Sequence, residues 1–542
     1  MTSSNGFLRM LECVLVLCFA ECASTTENAP TGSDRLPIQR RLLVNNDGTN
    51  LLWRDDLTPE LIQRHVEECP NAVTTYMLCP NGIQKMLYPS ECEELSTRGA
   101  LARLVGEGRD PFGEFLEGLK RRGFETFISW RMNEVHNVNQ PNEPDLSRFW
   151  REHPEYRVER GANPNNWMAQ CLDYGLEPVR EYNLRLIFEA MERYEPDGIE
   201  LDWMRFPRHL SGSPDAVWNQ RHHLTEVVAR VKAKADELAR QRGRPMLVAV
   251  RVPSSPTGCR ALGVDIGEWN RRGLIDFLTA SPFLASDFSM PLAQLRRELG
   301  DRQVALYAAI EFGYAGKSHC EESIRAAALG LWDSGADGIY IFNFPCWREQ
   351  QPHPFWSWVP ALGDPARLRG CDLKFALINQ QHRVGGIDLP VQLPLTIPPG
   401  ETRVLTISLP RSAVASDNAP HSARLAFEPA ASLVCHINDK VVSVGQTFSP
   451  ENLLPGDNTV ALANTNALPA TLNLVELDLE YDPALPVLPP NNALYFHVDA
   501  NGSDQHPGTA AQPFKTVAGG IAAARTARAS GENASKQVVI LL

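Results

Sequence analysis

Between about residues 40 and 365, short apolar runs alternate with longer amphipathic segments. The short runs have the length and apolar character of buried strands, and the longer segments carry apolar residues at helical spacing. Strands that alternate with helices in this way form parallel sheets with right-handed crossovers. Eight strands are predicted, at residues 42–46, 72–78, 126–132, 198–204, 246–252, 275–281, 304–310 and 338–344.

Helices are predicted between these strands, and several begin with proline, which the first helical turn tolerates. Their spans are 59–68, 111–122, 178–194, 216–242, 291–299 and 321–334. Eight strand–helix repeats close into an α/β (β/α)8 TIM barrel, which we place at residues 40–370. An open doubly wound sheet is the alternative, but no glycine-rich dinucleotide turn follows the first strand. The barrel is therefore the predicted fold, with any active site at the carboxyl ends of its strands.

The segment 197–207, with the sequence DGIELDWMRFP, places two carboxylates close together in an apolar strand. Because strand residues two apart point to the same side, Glu200 and Asp202 share one face and Trp203 takes the other. Burying two carboxylates together is costly, since both lose hydration and repel each other. Such a pair either forms a structural ion network with nearby arginines or takes part in chemistry.

Polar and aromatic side chains concentrate at the carboxyl ends of the predicted strands, while the strand bodies are apolar. This distribution fits a sugar site, in which carboxylates move protons, Arg and Asn bind hydroxyls, and aromatic rings stack on sugar faces. The candidate substrate-binding residues are Arg131, Asn133, His136, Trp203, Arg205, Arg251, Tyr340 and Asn343. In the alternative interpretation, the three arginines hold the fourth-strand carboxylates, and the histidine is a hydrogen-bonded loop residue.

Three carboxylates are the candidate catalytic groups: Asp202, Glu200 and Glu311. Glu311 ends the seventh predicted strand, opposite the fourth across a barrel. Opposed carboxyl groups cleave a sugar bond as nucleophile and acid when roughly 5–5.5 Å apart, or as base and acid when farther apart. Repulsion between Glu200 and Asp202 is expected to raise one pKa, which suits a proton donor. Glu311 fits an exposed loop position before Gly313 equally well.

A family resemblance rests on six segments of the barrel region: 130–133 (WRMN), 147–154 (SRFWREHP), 172–174 (LDY), 197–207 (DGIELDWMRFP), 251–253 (RVP) and 335–344 (GADGIYIFNF). Together they resemble the family-10-like glycosyl hydrolase group of bacterial (β/α)8 proteins. The resemblance implies an extracellular carbohydrate-active barrel with the fourth-strand carboxylates in its site. The fourth strand is also similar to the chitinase-type family 18 signature, but Met204 stands where that signature has its catalytic glutamate. A thioether cannot donate a proton, so any acid must be Asp202, Glu200 or a residue from another strand.

Beyond the barrel, the helical periodicity disappears and short alternating runs separated by turn signals follow. The runs at 404–409, 423–427, 433–437, 459–462 and 472–479 predict a small β-sandwich over residues 372–482. We interpret it as a brace for the barrel, since it lacks the exposed tryptophans of a glycan-stacking platform. Residues 483–492 are rich in proline and predict a linker.

The last segment, 493–542, carries the runs 495–504 (YFHVDANGSD), 507–509 (PGT) and 513–516 (PFKT). These runs resemble the opening of right-handed parallel β-helix proteins, which include polysaccharide lyases. A β-helix needs stacked rungs to bury its core. No rungs follow before residue 542, so we expect an incomplete β-helix and a chain that is a fragment or a truncated gene product.

Composition limits the compartment and the partners. A hydrophobic content of 43% and a charged content of 22% are those of a folded soluble protein, and the net charge of −13 argues against nucleic acid and anionic membrane surfaces. Residues 1–24 have a short signal-peptide pattern, so we expect a secreted, periplasmic or cell-surface protein without stable membrane insertion. The 12 cysteines lack C-x-x-C spacing, so no metal site is predicted, although a disulfide among Cys69, Cys79 and Cys92 fits an exported protein.

The leading functional hypothesis is a secreted enzyme that hydrolyses O-glycosidic bonds of a polysaccharide or oligosaccharide by carboxylate acid–base chemistry. One alternative is a catalytically silent glycan-binding barrel, for which Met204 is the main evidence. Another is an accessory domain of a polysaccharide-degrading β-helix protein. A carbohydrate is the only partner that the sequence predicts, and no metal or organic cofactor is implied.

Overall fold

The computed structural model describes residues 14–17, 41–140, 142–349, 356–378, 383–384, 387–388, 391–415, 419–482, 494–509, 512–528 and 538–541. The chain forms two compact units, one from Leu36–Asp482 and the other from Met1–Arg35 with Pro483–Leu542. The predicted linker at 483–492 and most of the predicted signal peptide at 1–24 lie outside the described residues.

The first unit contains a closed barrel of eight parallel strands. They are β1 Arg41–Asn46, β2 Thr75–Leu78, β3 Glu125–Arg131, β4 Gly198–Asp202, β5 Leu247–Pro253, β6 Phe277–Ser281, β7 Ala305–Ile310 and β8 Gly338–Ile341. Each strand pairs with the next, and β8 pairs with β1 to close the ring. All eight predicted strands are confirmed. β4 ends earlier than predicted because the Asp202 carboxylate accepts the backbone N–H groups of Met204 and Arg205 and turns the chain out of the ladder.

Helices surround the barrel. Those of six or more residues are Pro59–Glu68, Leu101–Gly106, Pro111–Arg121, Glu177–Tyr194, Pro214–Asn219, His222–Arg242, Pro256–Leu262, Ile266–Arg271, Leu292–Leu299 and Glu321–Asp333. Shorter ones are Thr49–Leu52, Arg148–Glu152, Trp167–Gln170 and Val359–Leu362, with 3-10 turns at Pro154–Tyr156, Phe344–Glu349, Trp356–Trp358 and Pro365–Leu368. The single helix predicted at 216–242 is instead two helices. The Gln220 side-chain amide, between them, donates to the carbonyls of Ser211 and Ala216 and so caps the end of the first.

Two apolar layers lie on opposite sides of the barrel wall. Inside the barrel, residues such as Phe127, Phe277 and Tyr307 form a compact cluster. Outside it, Leu201 and Trp203 belong to a larger core that packs the strands against the helices. Because side chains alternate along β4, the residues between these outward-pointing ones face the barrel interior. That alternation is what directs the fourth-strand carboxylates toward the centre of the barrel.

Two four-stranded antiparallel sheets follow the barrel, as predicted. One contains Leu373–Ile378, Leu474–Glu480, Ser422–Glu428 and Thr447–Phe448, and the other contains Thr402–Leu409, Gly456–Ala463, Val434–Ile437 and Lys440–Val442. Smaller pairs join Leu395–Ile397 to Ala470–Leu472 and Arg383–Val384 to Ile387–Asp388. The Glu476 carboxylate accepts from Tyr314 Oη at 2.9 Å and from Lys317 Nζ at 3.0 Å, which fastens the sheets to the barrel. These contacts support the interpretation of the sheets as a brace.

In the second unit, Leu494–His497 pairs in parallel with Val538–Leu541, whose other edge pairs antiparallel with Val14–Leu17. The helix Val517–Arg528 lies between the two parallel strands in sequence. The β-helix start and the signal peptide stay predictions. No helix among the described residues combines the length and the apolar character needed to span a bilayer.

Candidate functional site

A cleft of about 460 Å³ opens at the carboxyl ends of the barrel strands. Its lining residues follow seven of the eight strands, β5 being the exception. They are Asp47, Thr49, Trp53, Gly82, Ile83, His136, Asn137, Arg205, Leu284, Phe312, Phe342, Asn343, Cys346, Trp347 and Glu349. The cleft therefore lies where (β/α)8 proteins carry their active sites.

Beneath the cleft, Arg251 on β5 connects two carboxylates. The strand register sets Asp202 of β4 directly beside it. Arg251 donates from Nη1 to both Asp202 oxygens at 3.0 Å and from Nη2 to Glu311 Oε1 at 2.6 Å. All three side chains are at most 2% exposed. A buried arginine in this position offsets part of the cost of burying the two carboxylates.

Glu200 precedes Asp202 by two residues and faces the same side of β4. Its Oε1 accepts from Ser129 Oγ at 2.6 Å and from Tyr340 Oη at 2.9 Å. Its Oε2 has no hydrogen-bond partner among the described residues. Burial and the Asp202 charge raise the pKa of Glu200 to about 7. Glu200 therefore changes its protonation state near neutral pH, as the repulsion argument predicts.

Glu311 follows β7 and is fully buried, so its interpretation as an exposed loop residue is wrong. Burial raises the pKa of Glu311, although Arg251 opposes this shift. Ser286 Oγ accepts from the Glu311 backbone N–H at 3.0 Å and lies 3.1 Å from its carbonyl oxygen, which holds the residue in place. Within the described part of the chain, Glu311 Oε2 has no hydrogen-bond partner.

Phe342 lies between the Arg251 guanidinium and the cleft. Its ring lies 3.8 Å from the Arg251 guanidinium carbon, and the same side chain lines the cleft. The residue after Glu311, Phe312, also lines the cleft. The three candidate catalytic carboxylates are thus gathered at the centre of the barrel mouth, one aromatic layer below the open space.

The wall of the cleft contains a second arginine that connects two carboxylates. Arg131 Nη2 donates to Asp47 Oδ2 at 3.1 Å, and its Nη1 donates to Glu134 Oε2 at 2.8 Å and to the Gly82 carbonyl at 2.7 Å. Arg131, together with hydrogen bonds from Cys346 and Thr49, lowers the pKa of Asp47 despite burial. Asp47 therefore stays ionised at the edge of the cleft.

Three predicted substrate-binding residues meet on the same wall. His136 Nδ1 lies 2.5 Å from Glu134 Oε1, and its Nε2 contacts Arg205 Nη2. Asn343 donates from Nδ2 to Asp47 Oδ2 at 3.2 Å. Its own Oδ1 lacks a hydrogen-bond partner among the residues described. His136, Arg205 and Asn343 all line the cleft, as a substrate-binding role requires.

Two predicted substrate-binding residues lie elsewhere, which corrects their assignment. Trp203 is fully buried outside the barrel wall and packs on Tyr174 and Trp269, because alternation along the chain directs it away from the interior. Asn133 is 2% exposed, and its amide bonds the backbone of Leu172 and Arg208. Both residues support the loops around the mouth without facing the cleft.

Of the remaining predicted residues, Arg131, Arg251 and Tyr340 hold carboxylates and are buried below the cleft surface. The list of candidate site residues omits Asp47, Trp53, Phe312, Trp347 and Glu349, which line the open space. Asp47 directly follows β1 and Phe312 is the second residue after β7, so their position after a barrel strand was an available signal. Trp53 and Glu349 lie farther along their loops, where strand position gives no signal.

The expected disulfide among Cys69, Cys79 and Cys92 is wrong, since all three thiols are free. Cys69 precedes β2 and Cys79 follows it, so an extended strand keeps that pair apart. No group of three or more His, Cys, Asp or Glu side chains with the geometry of a metal site occurs among the described residues.

No protein-family model and no curated protein matches this sequence. Among solved structures, the chain is similar to a cycloisomaltooligosaccharide glucanotransferase of Paenibacillus sp. with 10% identity and a TM-score of 0.31, over 81% of this chain and 58% of that one. It is similar to the GH36 alpha-galactosidase AgaA of Geobacillus stearothermophilus with 12% identity and a TM-score of 0.36, over 82% and 56%. It is also similar to the glycoside hydrolase domain of PgaB (BpsB) from Bordetella bronchiseptica with 12% identity and a TM-score of 0.38, over 60% and 99%.

The chain thus spans little more than half the length of the first two of these proteins. At these identities and TM-scores, the likeness carries no conclusion about activity or substrate. The barrel fold of this chain follows from its own strand pairing, in which eight parallel strands close into a ring.

Proposed function

We propose that this protein is a carbohydrate-active enzyme that hydrolyses O-glycosidic bonds at the mouth of its barrel. One observation carries the proposal: two buried carboxyl groups with raised pKa values, Glu200 and Glu311, lie beneath a cleft that offers aromatic faces and ionic side chains. A carboxyl group whose pKa is raised can donate a proton at neutral pH, which is the role of the acid in glycoside hydrolysis. The resemblance of segment 197–207 to the family-10-like glycosyl hydrolase group is consistent with this assignment.

In this proposal Glu311 is the proton donor. Its neutral form is favoured by burial, its Oε2 has no partner in the described part of the chain, and the next residue already lines the cleft. Glu311 protonates the glycosidic oxygen as the bond to the anomeric carbon breaks, and water then adds to that carbon and returns a proton to the Glu311 carboxylate, which restores the acid. Asp202, paired with Arg251, supplies negative charge for the oxocarbenium-like transition state. The Phe342 ring must move aside for a sugar to reach these groups.

Export is part of the proposal, because the apolar run in residues 1–24 has the pattern of a signal peptide. Sequencing the N-terminus of the protein purified from culture medium and from whole cells tests it. We expect a shortened N-terminus in the medium, and a full-length N-terminus found only inside cells would contradict export.

A second candidate is a glycan-binding barrel without catalysis. The observation that favours it is the complete closure of the carboxylate network, in which Glu200, Asp202 and Glu311 are at most 1% exposed. Met204, also fully buried, stands where the chitinase-type signature has its acid. In this alternative, the open wall with Asp47, His136 and Arg205 binds sugar, and the buried carboxylate network beneath the cleft only stabilises the barrel mouth.

Release of reducing ends from a broad polysaccharide panel separates the two candidates. The native protein is compared with Glu311→Gln, Asp202→Asn and Glu200→Gln. The control is Glu476→Gln, a buried carboxylate of the sheets that accepts a hydrogen bond from Tyr314 of the barrel unit and lies outside the cleft. We expect cleavage by the native protein and the control and a loss of at least 100-fold in Glu311→Gln. Glycan binding by all proteins with no cleavage by any would establish the binding alternative.

A further inference from the structure

The three arginines at the barrel mouth differ in their ionic partners. Arg131 pairs with Asp47 and Glu134, and Arg251 pairs with Asp202 and Glu311. Arg205 also lines the cleft, yet it forms no ion pair with any described residue. Its buried Nε likewise has no hydrogen-bond partner among the residues that the structure describes. A guanidinium that is always charged is thus held at the cleft without a carboxylate at ion-pair distance among the described residues.

The orientation of Arg205 is set by neutral or already occupied neighbours. Its Nη2 contacts His136 Nε2, and its guanidinium carbon lies 4.9 Å from the centre of the Phe206 ring. His136 Nδ1 lies against the Glu134 carboxylate, which fixes the proton on Nδ1 and leaves Nε2 to accept from arginine. The series of side-chain contacts from Arg131 through Glu134 and His136 to Arg205 therefore orients the Arg205 guanidinium without neutralising its charge.

The wall carboxylates nearest to Arg205 already accept hydrogen bonds from other residues. Asp47 accepts from Arg131, Asn343, Thr49 and Cys346. Glu134 accepts from Arg131 and from both the backbone and the ring of His136. Burial and the nearby charge of Arg131 lower the pKa of Arg205, although the more distant charges of Glu134, Asp47 and Glu311 oppose this shift. Among the cleft-lining residues, only the exposed Glu349 on the rim adds a further carboxylate.

We propose that Arg205 binds an anionic substituent of the glycan, a carboxylate or a sulfate, and that acidic polysaccharides are the substrate class of this cleft. The proposal rests on the proposed carbohydrate function. The planar fork of an arginine side chain matches two oxygens of a carboxylate or sulfate, and such charge-assisted bonds are stronger than neutral ones. Asn343, whose Oδ1 has no partner in the described part of the chain, can accept a sugar hydroxyl on the same wall.

Binding to an array of carboxylated, sulfated and neutral oligosaccharides tests the substrate class. Each acidic ligand that binds is then compared by calorimetry with its carboxyl-reduced or desulfated form, which removes the charge and keeps the sugar chain. We expect at least 10-fold tighter binding of the charged form. The two kinds of acidic ligand distinguish a carboxylate from a sulfate. Binding of neutral glycans alone, or of no acidic glycan, would overturn the proposal.

Variants assign the preference to Arg205. Arg205→Gln is expected to remove the 10-fold difference between charged and neutral forms, and Arg205→Lys to keep part of it as a point charge. The control is Arg208→Gln on the same loop, whose guanidinium donates to the Gly212 carbonyl. Circular dichroism confirms that each variant is folded, and the lysine variant keeps the test valid if glutamine disturbs the loop. A charge preference that survives in Arg205→Gln would contradict the assignment.

Hydrolysis is measured separately on the same ligands. Acidic glycans that bind through Arg205 but are never cleaved would support the subsite and contradict the hydrolase. Cleavage of neutral glycans only, unaffected by Arg205→Gln, would support the hydrolase and contradict the subsite. The two proposals therefore fail independently.

Discussion

The floor and the wall of the barrel mouth use the same unit, an arginine between two carboxylates, in different surroundings. On the floor, Arg251 joins Asp202 and Glu311, and all three are at most 2% exposed. On the wall, Arg131 joins Asp47 and Glu134, where the Asp47 side chain is 13% exposed and the neighbouring His136 side chain 33%. The two networks are thus alike in composition and differ in exposure, since only the wall network is partly accessible to solvent.

The comparison indicates a division of labour. The floor carries carboxyl groups whose pKa values are raised by burial, as an acid catalyst requires, but Phe342 covers it. The wall carries an ionised carboxylate and an arginine without an ionic partner among the described residues, as ligand binding requires. Four experiments test how far the two regions differ.

The largest effect is expected for Arg251→Met. This change leaves Asp202 and Glu311 buried without their cation, so the free energy of unfolding at pH 7 should fall by about 3–5 kcal/mol. Arg205→Met on the wall is the matched change and should cost less than about 1 kcal/mol, since no ion pair with a described residue is lost. Urea denaturation measures both. Similar losses for the two variants would remove the distinction between floor and wall.

Phe342→Ala removes the aromatic layer between the two regions. We expect a loss of about 3 kcal/mol in unfolding free energy, because a buried ring is replaced by a cavity or by water. Phe312→Ala is the control, since this partly buried ring lines the same cleft and should cost less. Water admitted by Phe342→Ala should also lower the pKa of Glu311 toward its ordinary value. An unchanged stability would show that the ring does not seal the network.

Glu200 should make stability depend on pH in a defined direction. Its pKa is about 7 in the folded protein, against roughly 4.3 in an unfolded chain, so the folded state binds more protons between these values. Stability from this group is therefore present below about pH 4 and is lost as pH rises to about 7. Relative to Glu200→Gln, the native protein should lose about 2–3 kcal/mol across that window.

Urea denaturation at several pH values measures this difference. Tyr340→Phe sharpens it, because losing the hydrogen bond from Tyr340 to Glu200 Oε1 should extend the window to higher pH. A native-minus-variant difference that does not change with pH would mean that Glu200 titrates as an ordinary carboxyl group.

The smallest effect concerns the backbone of the wall. Asn343 has a φ of 48°, a left-handed conformation that Asn and Gly adopt more readily than Ala. Both Asn343→Ala and Asn343→Gly lose the hydrogen bond from Nδ2 to Asp47, so the backbone conformation should make Asn343→Ala less stable than Asn343→Gly by about 1 kcal/mol. Both variants should weaken glycan binding equally, because both lose the amide. Thermal denaturation and calorimetry measure these effects, and equal stabilities would show that the conformation is not strained.

Much of the fold could be predicted from periodicity. All eight barrel strands lie where apolar runs indicated them, and the antiparallel sheets follow the change in pattern after the barrel. The division of the helix predicted at 216–242 was missed, because the capping contacts of Gln220 join residues whose proximity depends on the preceding loop. The position of Glu311 at a strand end was predicted, but its burial was not.

Alternation along β4 by itself determined that Glu200 and Asp202 face the barrel interior and that Trp203 does not. Chain order also determined that polar residues after successive strands meet at one end of the barrel. Only the tertiary structure decided the partners and the access. The hydrogen bond from Arg251 to Glu311 connects residues that are 60 positions apart in sequence, and the one from Arg131 to Asp47 connects residues 84 positions apart. The burial of these side chains, their ion pairs and the position of the Phe342 ring over Arg251 all depend on contacts between residues far apart in sequence. A local sequence pattern carries no information about such contacts.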